Sequence, residues 1–333
     1  MVPAGVPKTL YQVLLEMIYI TQGKRGSIGI EALFKAILVL PKSCLEDLIL
    51  VIKIEDIIHE LQLLHIPYNI AGDALEIHNG RITLLPPKFF EHSETLNSLL
   101  TALSLIQECD FLFTLPSSKD QFHFRNTHHR GYTDFFRSYF HINDVSMTFK
   151  GQDFDLLLLT DHIPLREVPN AIKADLFGKV EVCLRGCLKY FNSYEDVIIL
   201  GLNPHAGENG RIGIEELSFS AFLKPLVQKF PQISFVGPLA ADSLFLSGFK
   251  SKKKTLLISP YHDQGLPIFK SLRMFHSAQI TFGLPFLRLS VVHGTAEDIY
   301  GKNLADPTSI LYGLETIFTS NYGLHFNRTS ARA

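Results

Sequence analysis

The chain has almost no net charge: 31 Lys and Arg against 33 Asp and Glu leave a formal value of -2 over 333 residues. It therefore lacks the electrostatic footprint of a nucleic-acid binder, and its one dense basic run, Lys252 to Lys254, reads as a solvated turn. It also lacks an apolar run long enough to cross a bilayer. The stretch Val13 to Ile20 contains Glu16 and has no small-residue cleavage site, so neither insertion nor export is expected, and the expected location is the cytoplasm. Cysteine is scarce. Cys44, Cys109, Cys183 and Cys187 show neither a paired framework nor the two-residue spacing of a zinc ribbon, which fits reduced thiols. Cys183 and Cys187 stand four apart and read as small core residues on one helix face. Low-complexity tracts and internal repeats are missing too. With 46% hydrophobic and 19% charged residues the whole chain is expected to fold, in about two domains for this length.

Short apolar runs alternate with longer helical patterns, the signature of strand-helix units and a mostly parallel sheet, so the expected fold class is α/β with two lobes and a cleft. Apolar residues at helical spacing predict helices over Ile28 to Leu40, Leu45 to Leu64 and Leu96 to Ile106, before a strand at Phe111 to Leu115. Beyond Asp153, continuous apolar runs predict covered strands at Phe154 to Thr160, Val197 to Gly201, Ile233 to Val236 and Thr255 to Ser259. A boundary near residue 145 separates an N-terminal substrate-side lobe, 1–145, from a C-terminal lobe, 146–333, whose last helices can return to the first.

Three of these strands run directly into a polar loop with a histidine: LLLLTDH to His162, VIILGLNPH to His205 and LLISPYHD with His262. Ligands of open parallel sheets collect beyond the strands' carboxyl ends, so the three imidazoles are candidate ligands of one divalent metal. Asp161 and Asp263, each beside one of them, can orient a ring. A lone loop histidine is usually an ordinary polar residue, as His128 and His129 are read here; three in equivalent places are not. The glycine-spaced GENGRIG, Gly207 to Gly213, reads as a bend in the ligand loop rather than a dinucleotide motif, and Glu208, Glu215 and Glu216 either shape the site or start the next helix.

The segments TDHIPLREVPNAI, GLNPHAGENGRIGIEE, GPLAADSLF, YHDQGLPIFK and TFGLPFLRLSVVHGTAEDIYGK together resemble the 4-hydroxythreonine-4-phosphate dehydrogenase family of pyridoxal phosphate biosynthesis, most densely from Asp155 to Asp306. The last segment is also similar to the HGSAPDIAGK region of isocitrate and isopropylmalate dehydrogenases. The resemblance implies a homodimer of two-lobed subunits with the active site at the interface and His262 completing the partner's metal site. It implies NAD- and metal-dependent oxidation of 4-phosphooxy-L-threonine followed by decarboxylation to 3-amino-2-oxopropyl phosphate. The metal would be zinc, magnesium, manganese or cobalt, and NADP is the alternative cofactor. Tyr132, Thr133, Lys270, Gln279 and Arg288 match substrate-binding positions, Asp263 and Lys270 are the candidate catalytic groups, and His293, Gly294, Thr295, Ala296 and Asp298, with Lys302 beyond, match the cofactor loop.

The chain departs from the family pattern in places. GDPAGIGPE becomes GKRGSIGIE over Gly23 to Glu31, with Lys24 for an acid; GHTE becomes GYTD with Tyr132 for histidine; Gln279 replaces asparagine; Tyr300 replaces a small residue. The metal positions are intact while the substrate shell differs. Two other readings therefore stand beside the first: a dehydrogenase of phosphothreonate or phosphoerythronate, and a non-catalytic metal- or ligand-binding dimer.

Overall fold

The computed structural model describes residues 16–173, 177–246 and 254–322; Val13 to Leu15, Lys252 and Lys253 lie outside the described residues. The N-terminal part contributes strands β1 Ile18–Thr21, β2 Leu48–Val51, β3 Tyr68–Ala71, β4 Ala74–Ile77, β5 Gly80–Leu84 and β6 Phe111–Thr114. Its helices are α1 Gly29–Ile37, α2 Ile54–Leu63, α3 Glu94–Leu103 and α4 Tyr132–Phe140, with a short ribbon, β7 His123–Phe124 and β8 Thr127–His128, before α4. The rest supplies β9 Ser146–Gly151, β10 Asp155–Leu158, β11 Asp196–Leu200, β12 Ser234–Leu239, β13 Thr255–Ser259, β14 Ser277–Phe282 and β15 Leu287–Ser290. Between and after these strands come α5 Val168–Lys173, α6 Phe177–Tyr190, α7 Phe219–Lys229, α8 Ala241–Leu246, α9 His262–Arg273 and α10 Thr308–Phe318.

The fold class is the expected mixed α/β. One 13-stranded sheet runs in the order β12-β11-β13-β10-β9-β14-β15-β6-β1-β2-β5-β4-β3. Parallel pairing holds β12, β11, β13 and β10 together on one side and β15, β6, β1, β2 and β5 on the other. Strands β9 and β14 are antiparallel to their neighbours and join the two blocks. Residue 145 falls just before β9, and the sheet passes through both halves: β14 and β15 return from the C-terminal half so that β15 pairs with β6. The strands IYIT, FLFT, DLLL and TLLIS are buried along their whole length, as strands covered on both faces must be.

The predicted C-terminal strands appear at their expected positions, with ends shifted by up to three residues. The single helix expected over Leu45 to Leu64 is corrected. A 3-10 turn, Lys42–Asp47, leads into β2, and only Ile54–Leu63 is helical. A continuously apolar strand such as LILV has no alternation to distinguish it from the flank of a buried helix. Cys183 and Cys187 lie in the core on α6, as their spacing suggests.

Helix α9, which begins with His262 and carries Lys270, lies close to the sheet because its fourth residue is glycine. A Cβ at Gly265 would come within 2.8 Å of Ser259 Cβ and 3.0 Å of Leu156 Cδ1. Gly265→Ala must therefore push the start of α9 outward, at a cost of about 1–3 kcal/mol for overpacking. The expected result is a lower unfolding midpoint and weaker metal retention; an unchanged midpoint would show that the contact is relieved elsewhere.

A buried acidic cluster lies between α1 and α2. Glu31 Oε1 accepts from Lys35 Nζ and from the Ala305 backbone N–H, both at 2.8 Å, while Glu31 Oε2 and Glu60 Oε1 are buried without a hydrogen-bond partner. Burial, with Glu31 and Asp56 adding to it against Lys35, raises the Glu60 carboxyl from 4.5 to about 7. A raised acid is protonated in the fold and ionised in the unfolded chain between those two values, so stability falls as pH rises through that window. Glu60→Gln is expected to flatten the slope of unfolding midpoint against pH there. A variant whose slope matches the parent's would remove Glu60 as its source.

Candidate active site

The loops after β6, β10, β13 and β15 converge on a cleft of about 340 Å³, in the range of small-molecule sites. Its lining includes Tyr132, Thr133, His162, His262, Lys270, Gln279, Arg288, His293 and Gly294. Most residues singled out in the sequence therefore meet in one place. His205, Asp263, Thr295, Ala296 and Asp298 are not among the lining residues.

His162 and His262 face each other with ring centroids 5.7 Å apart. Their loops are fastened together: Thr160 donates through both its N–H, at 3.2 Å, and its hydroxyl, at 2.7 Å, to the Pro260 carbonyl. Burial shifts the His162 imidazole toward its neutral form, with Asp161 opposing and His262, Lys119 and Arg130 reinforcing the shift. His262 Nδ1 lies 2.6 Å from Asp263 Oδ1, which leaves Nε2 available. Two neutral-capable imidazoles, one oriented by a carboxylate, form a donor set that fits a divalent metal.

The third histidine is elsewhere. His205 is exposed in a turn where His205, Ala206, Gly207, Glu208 and Asn209 all have positive φ. Glu215 and Glu216 shape that turn, accepting from the Asn203 side chain at 2.8 and 3.0 Å, and Glu216 also accepts from the Asn203 backbone N–H at 2.6 Å. Among the described residues, no three His, Cys, Asp or Glu side chains of the single chain gather to hold a metal. The resemblance assigned His262 to the partner's site, whereas here His262 faces His162 of its own chain and His205 is the ring left apart.

Arg288 lies on β15 and is 1% exposed. Its Nε and Nη2 donate to Thr114 Oγ1 at 3.2 and 2.6 Å, and Nη1 donates to Thr281 Oγ1 at 3.1 Å. The guanidinium carbon lies 4.9 Å from the Tyr132 ring centroid and 5.8 Å from that of Phe136. Among the described residues no carboxylate is in ion-pair contact with it, and burial lowers its pKa from 12.5 to about 10, so it remains a cation near neutrality. Burial also lowers the pKa of Lys270. Arg288 and Lys270, two cations in one cleft without paired carboxylates among the described residues, suit an anionic ligand.

The Tyr132 hydroxyl does not face a ligand. It donates to the Leu115 carbonyl at 3.0 Å, while the ring supports Arg288 and stacks into the aromatic cluster of Phe122 and Phe136. Where the family has a histidine, this chain thus has a hydroxyl bonded to its own backbone. The cofactor-loop positions lie along one segment. A Cβ on Gly294 would meet nothing within 4 Å, so that flank is open. His293 Nδ1 sits 2.9 Å from the Gly294 carbonyl, and its Nε2 is buried without a partner. Ala296 adopts φ 44°, and Asp298 is exposed. The altered Gly23–Glu31 motif braces this segment: Ile28 N–H donates to the Thr295 carbonyl at 3.0 Å, and Lys24 Nζ pairs with Glu297 at 2.9 Å.

Sequence reasoning missed Thr114, although it is the one polar residue ending the apolar strand FLFT, and Thr281, which no pattern marks among the other polar residues of SAQITF. It also missed Arg130 and Arg137, which line the cleft and which no spacing marked.

A family model described as pyridoxal phosphate biosynthetic protein PdxA matches residues 91–317. The 4-hydroxythreonine-4-phosphate dehydrogenase of Sulfurihydrogenibium sp. (strain YO3AOP1) is 36% identical over 215 residues, 63% of this chain and 65% of that protein. That of Enterobacter sp. (strain 638) is 33% identical over 270 residues, 76% of this chain and 81% of that protein. The chain thus spans about two thirds of the first relative's length and four fifths of the second's. The crystal structure of 4-hydroxythreonine-4-phosphate dehydrogenase from Klebsiella pneumoniae shares the fold, with a TM-score of 0.70 at 22% identity over 91% of this chain and 97% of that one. Among the described residues, no helix is long and apolar enough to cross a membrane.

Proposed function

The chain belongs to the family of the pyridoxal phosphate biosynthetic protein PdxA, and from that premise we propose that it oxidises the C3 hydroxyl of 4-phosphooxy-L-threonine with NAD. The β-keto acid then loses carbon dioxide to give 3-amino-2-oxopropyl phosphate, a step of pyridoxal 5′-phosphate biosynthesis. The main support is the buried Arg288, held by two threonine hydroxyls and no carboxylate, in the same cleft as Lys270 and the imidazole pair.

Arg288 seats the substrate phosphate through its remaining N–H donors, with Lys270 as a second, point-like charge. Thr133 and Gln279, both lining the cleft, supply a hydroxyl and an amide to the rest of the substrate. Lys270 Nζ, its pKa lowered by burial, exchanges a proton with the reacting hydroxyl. His162 and His262 hold a divalent ion (zinc, magnesium, manganese or cobalt), with Asp263 fixing the His262 ring. Held there, such an ion would supply Lewis acidity at the hydroxyl and the ketone, and NAD would supply the hydride acceptor. His293, Gly294, Thr295, Ala296 and Asp298 receive the adenosine half of the cofactor, and the Asp298 carboxylate favours a ribose hydroxyl over the phosphate of NADP. Two ligands in one chain leave the third to a second copy; the active form is a homodimer in which His205 of the partner subunit completes the set.

The test is NADH formation from 4-phosphooxy-L-threonine by the folded protein with each of the four metals; no turnover with any of them rejects the reading. One observation favours a second substrate. The Tyr132 hydroxyl gives its proton to the Leu115 carbonyl, so the position filled by histidine in the family keeps no free donor for a substrate group. Phosphothreonate and phosphoerythronate are the alternative substrates, and faster turnover on either would select them.

A further inference from the structure

Helix α4 reaches the loop of His162 with two arginines. Arg130, two residues before the helix, donates from Nη1 to the His162 carbonyl at 3.0 Å. Arg137, within the helix, donates from Nη2 to Asp161 Oδ2 at 3.2 Å and to the Val145 carbonyl at 3.4 Å. Asp161 passes the contact on, its Oδ1 accepting from the His162 N–H at 2.7 Å. On the opposite side, Lys179 from α6 donates to the Leu159 carbonyl at 2.9 Å and Thr160 is bonded to Pro260. The loop of His162 is thus held by side chains from α4 and α6 and by the loop of His262. The α4 contacts are the ones nearest the ring, because they act on its own backbone carbonyl, its own N–H and the carboxylate beside it.

We propose that Arg137, assisted by Arg130, is a positioning residue for the metal centre, fixing Asp161 and His162 so that the imidazole stays turned toward His262. The same contacts make the metal loop move with α4, the helix that brings Tyr132 and Thr133 to the substrate side of the cleft. Neither arginine touches the imidazole rings in these contacts; both act through the backbone and the carboxylate of the loop. Arg137 reaches the carboxylate and the carbonyl with its single Nη2 group, at the end of a planar head whose orientation is set more rigidly than that of a lysine ammonium. Its charge is met by Asp161, so it places no unbalanced cation beside the metal. The inference rests on the metal reading given above.

Zinc competition against a chelator tests it on the full chain, beside thermal unfolding of the metal-free protein. Arg137→Ala and Asp161→Asn are each expected to weaken zinc binding about 10- to 100-fold, the usual effect of losing an outer partner of a ligand. Arg137→Lys should recover only part of that loss. The double variant should bind no more weakly than the worse single one, because both changes break one contact. The exposed Arg130→Met should weaken binding by a smaller factor without moving the unfolding midpoint. Wild-type zinc affinity in all variants, or a loss that merely follows a falling midpoint, overturns the proposal. If the wild-type chain holds no zinc the metal reading falls and this one with it, whereas zinc held equally by parent and variants removes this inference alone.

Discussion

Arg288→Met is expected to abolish phosphate binding while leaving the fold at least as stable. The two effects have opposite signs because Arg288 serves the ligand at the expense of the fold. Burial lowers its pKa from 12.5 to about 10, which corresponds to a cost of about 3 kcal/mol for holding the charge there. Five N–H donors less the three bonds to Thr114 and Thr281 leave two, in a residue that lines the cleft. Methionine fills similar space without the charge and keeps the apolar face against Tyr132 and Phe136. Two threonine hydroxyls lose their donor, which offsets part of the gain, and buried charges replaced by apolar groups are commonly neutral or stabilising. Removing one member of a desolvated charge pair costs the complex about 2–5 kcal/mol, so kcat/KM should fall about 30- to 5,000-fold. Titration calorimetry with inorganic phosphate beside thermal unfolding separates the two effects. Phosphate binding that survives unchanged would remove Arg288 as the anion seat.

The second large effect concerns the assembly. With His162 and His262 in one chain and His205 from the partner, His162→Ala and His205→Ala homodimers both lose every complete site. Mixing them restores activity: in a two-fold dimer, random exchange gives one intact site per mixed pair, or about a quarter of all sites. If all three ligands came from one chain, each mixed dimer would contain only damaged sites and no recovery would follow. Zinc content measured beside activity distinguishes failed metal binding from failed exchange. Recovery near a quarter supports a centre shared through His205; none, in a preparation shown to contain mixed dimers, excludes His205 as the ligand given by the partner.

The sequence made the strand-final histidines visible because each follows an unbroken apolar run, and a buried parallel strand has one exit toward ligand-bearing loops. The C-terminal strands were legible for the same reason, while LILV at Leu48–Val51 was not, since a short buried run has the same composition in either regular structure. Side-chain direction was invisible. Nothing in GYTD states that the Tyr132 hydroxyl turns to Leu115, a residue 17 positions away. Lys24 read as a bare change of charge until the fold brought Glu297, 273 positions distant, beside it. Arg137 and Asp161, 24 positions apart, are likewise joined only in the fold. What stayed hidden was contact between segments far apart in the chain, which local pattern cannot encode.

The seam of the sheet constrains how this cleft can open. The halves meet through hydrogen-bonded strands, β9 to β14 to β15 to β6, and Arg288 bolts across them by gripping Thr281 on one neighbouring strand and Thr114 on the other. A hinge needs a flexible waist, and here the waist is continuous sheet with Arg288 built into it. Rocking the halves apart would shear its bonds to Thr281 and Thr114. Opening of the cleft is therefore left to the loops beyond the strand ends, over a floor that stays still.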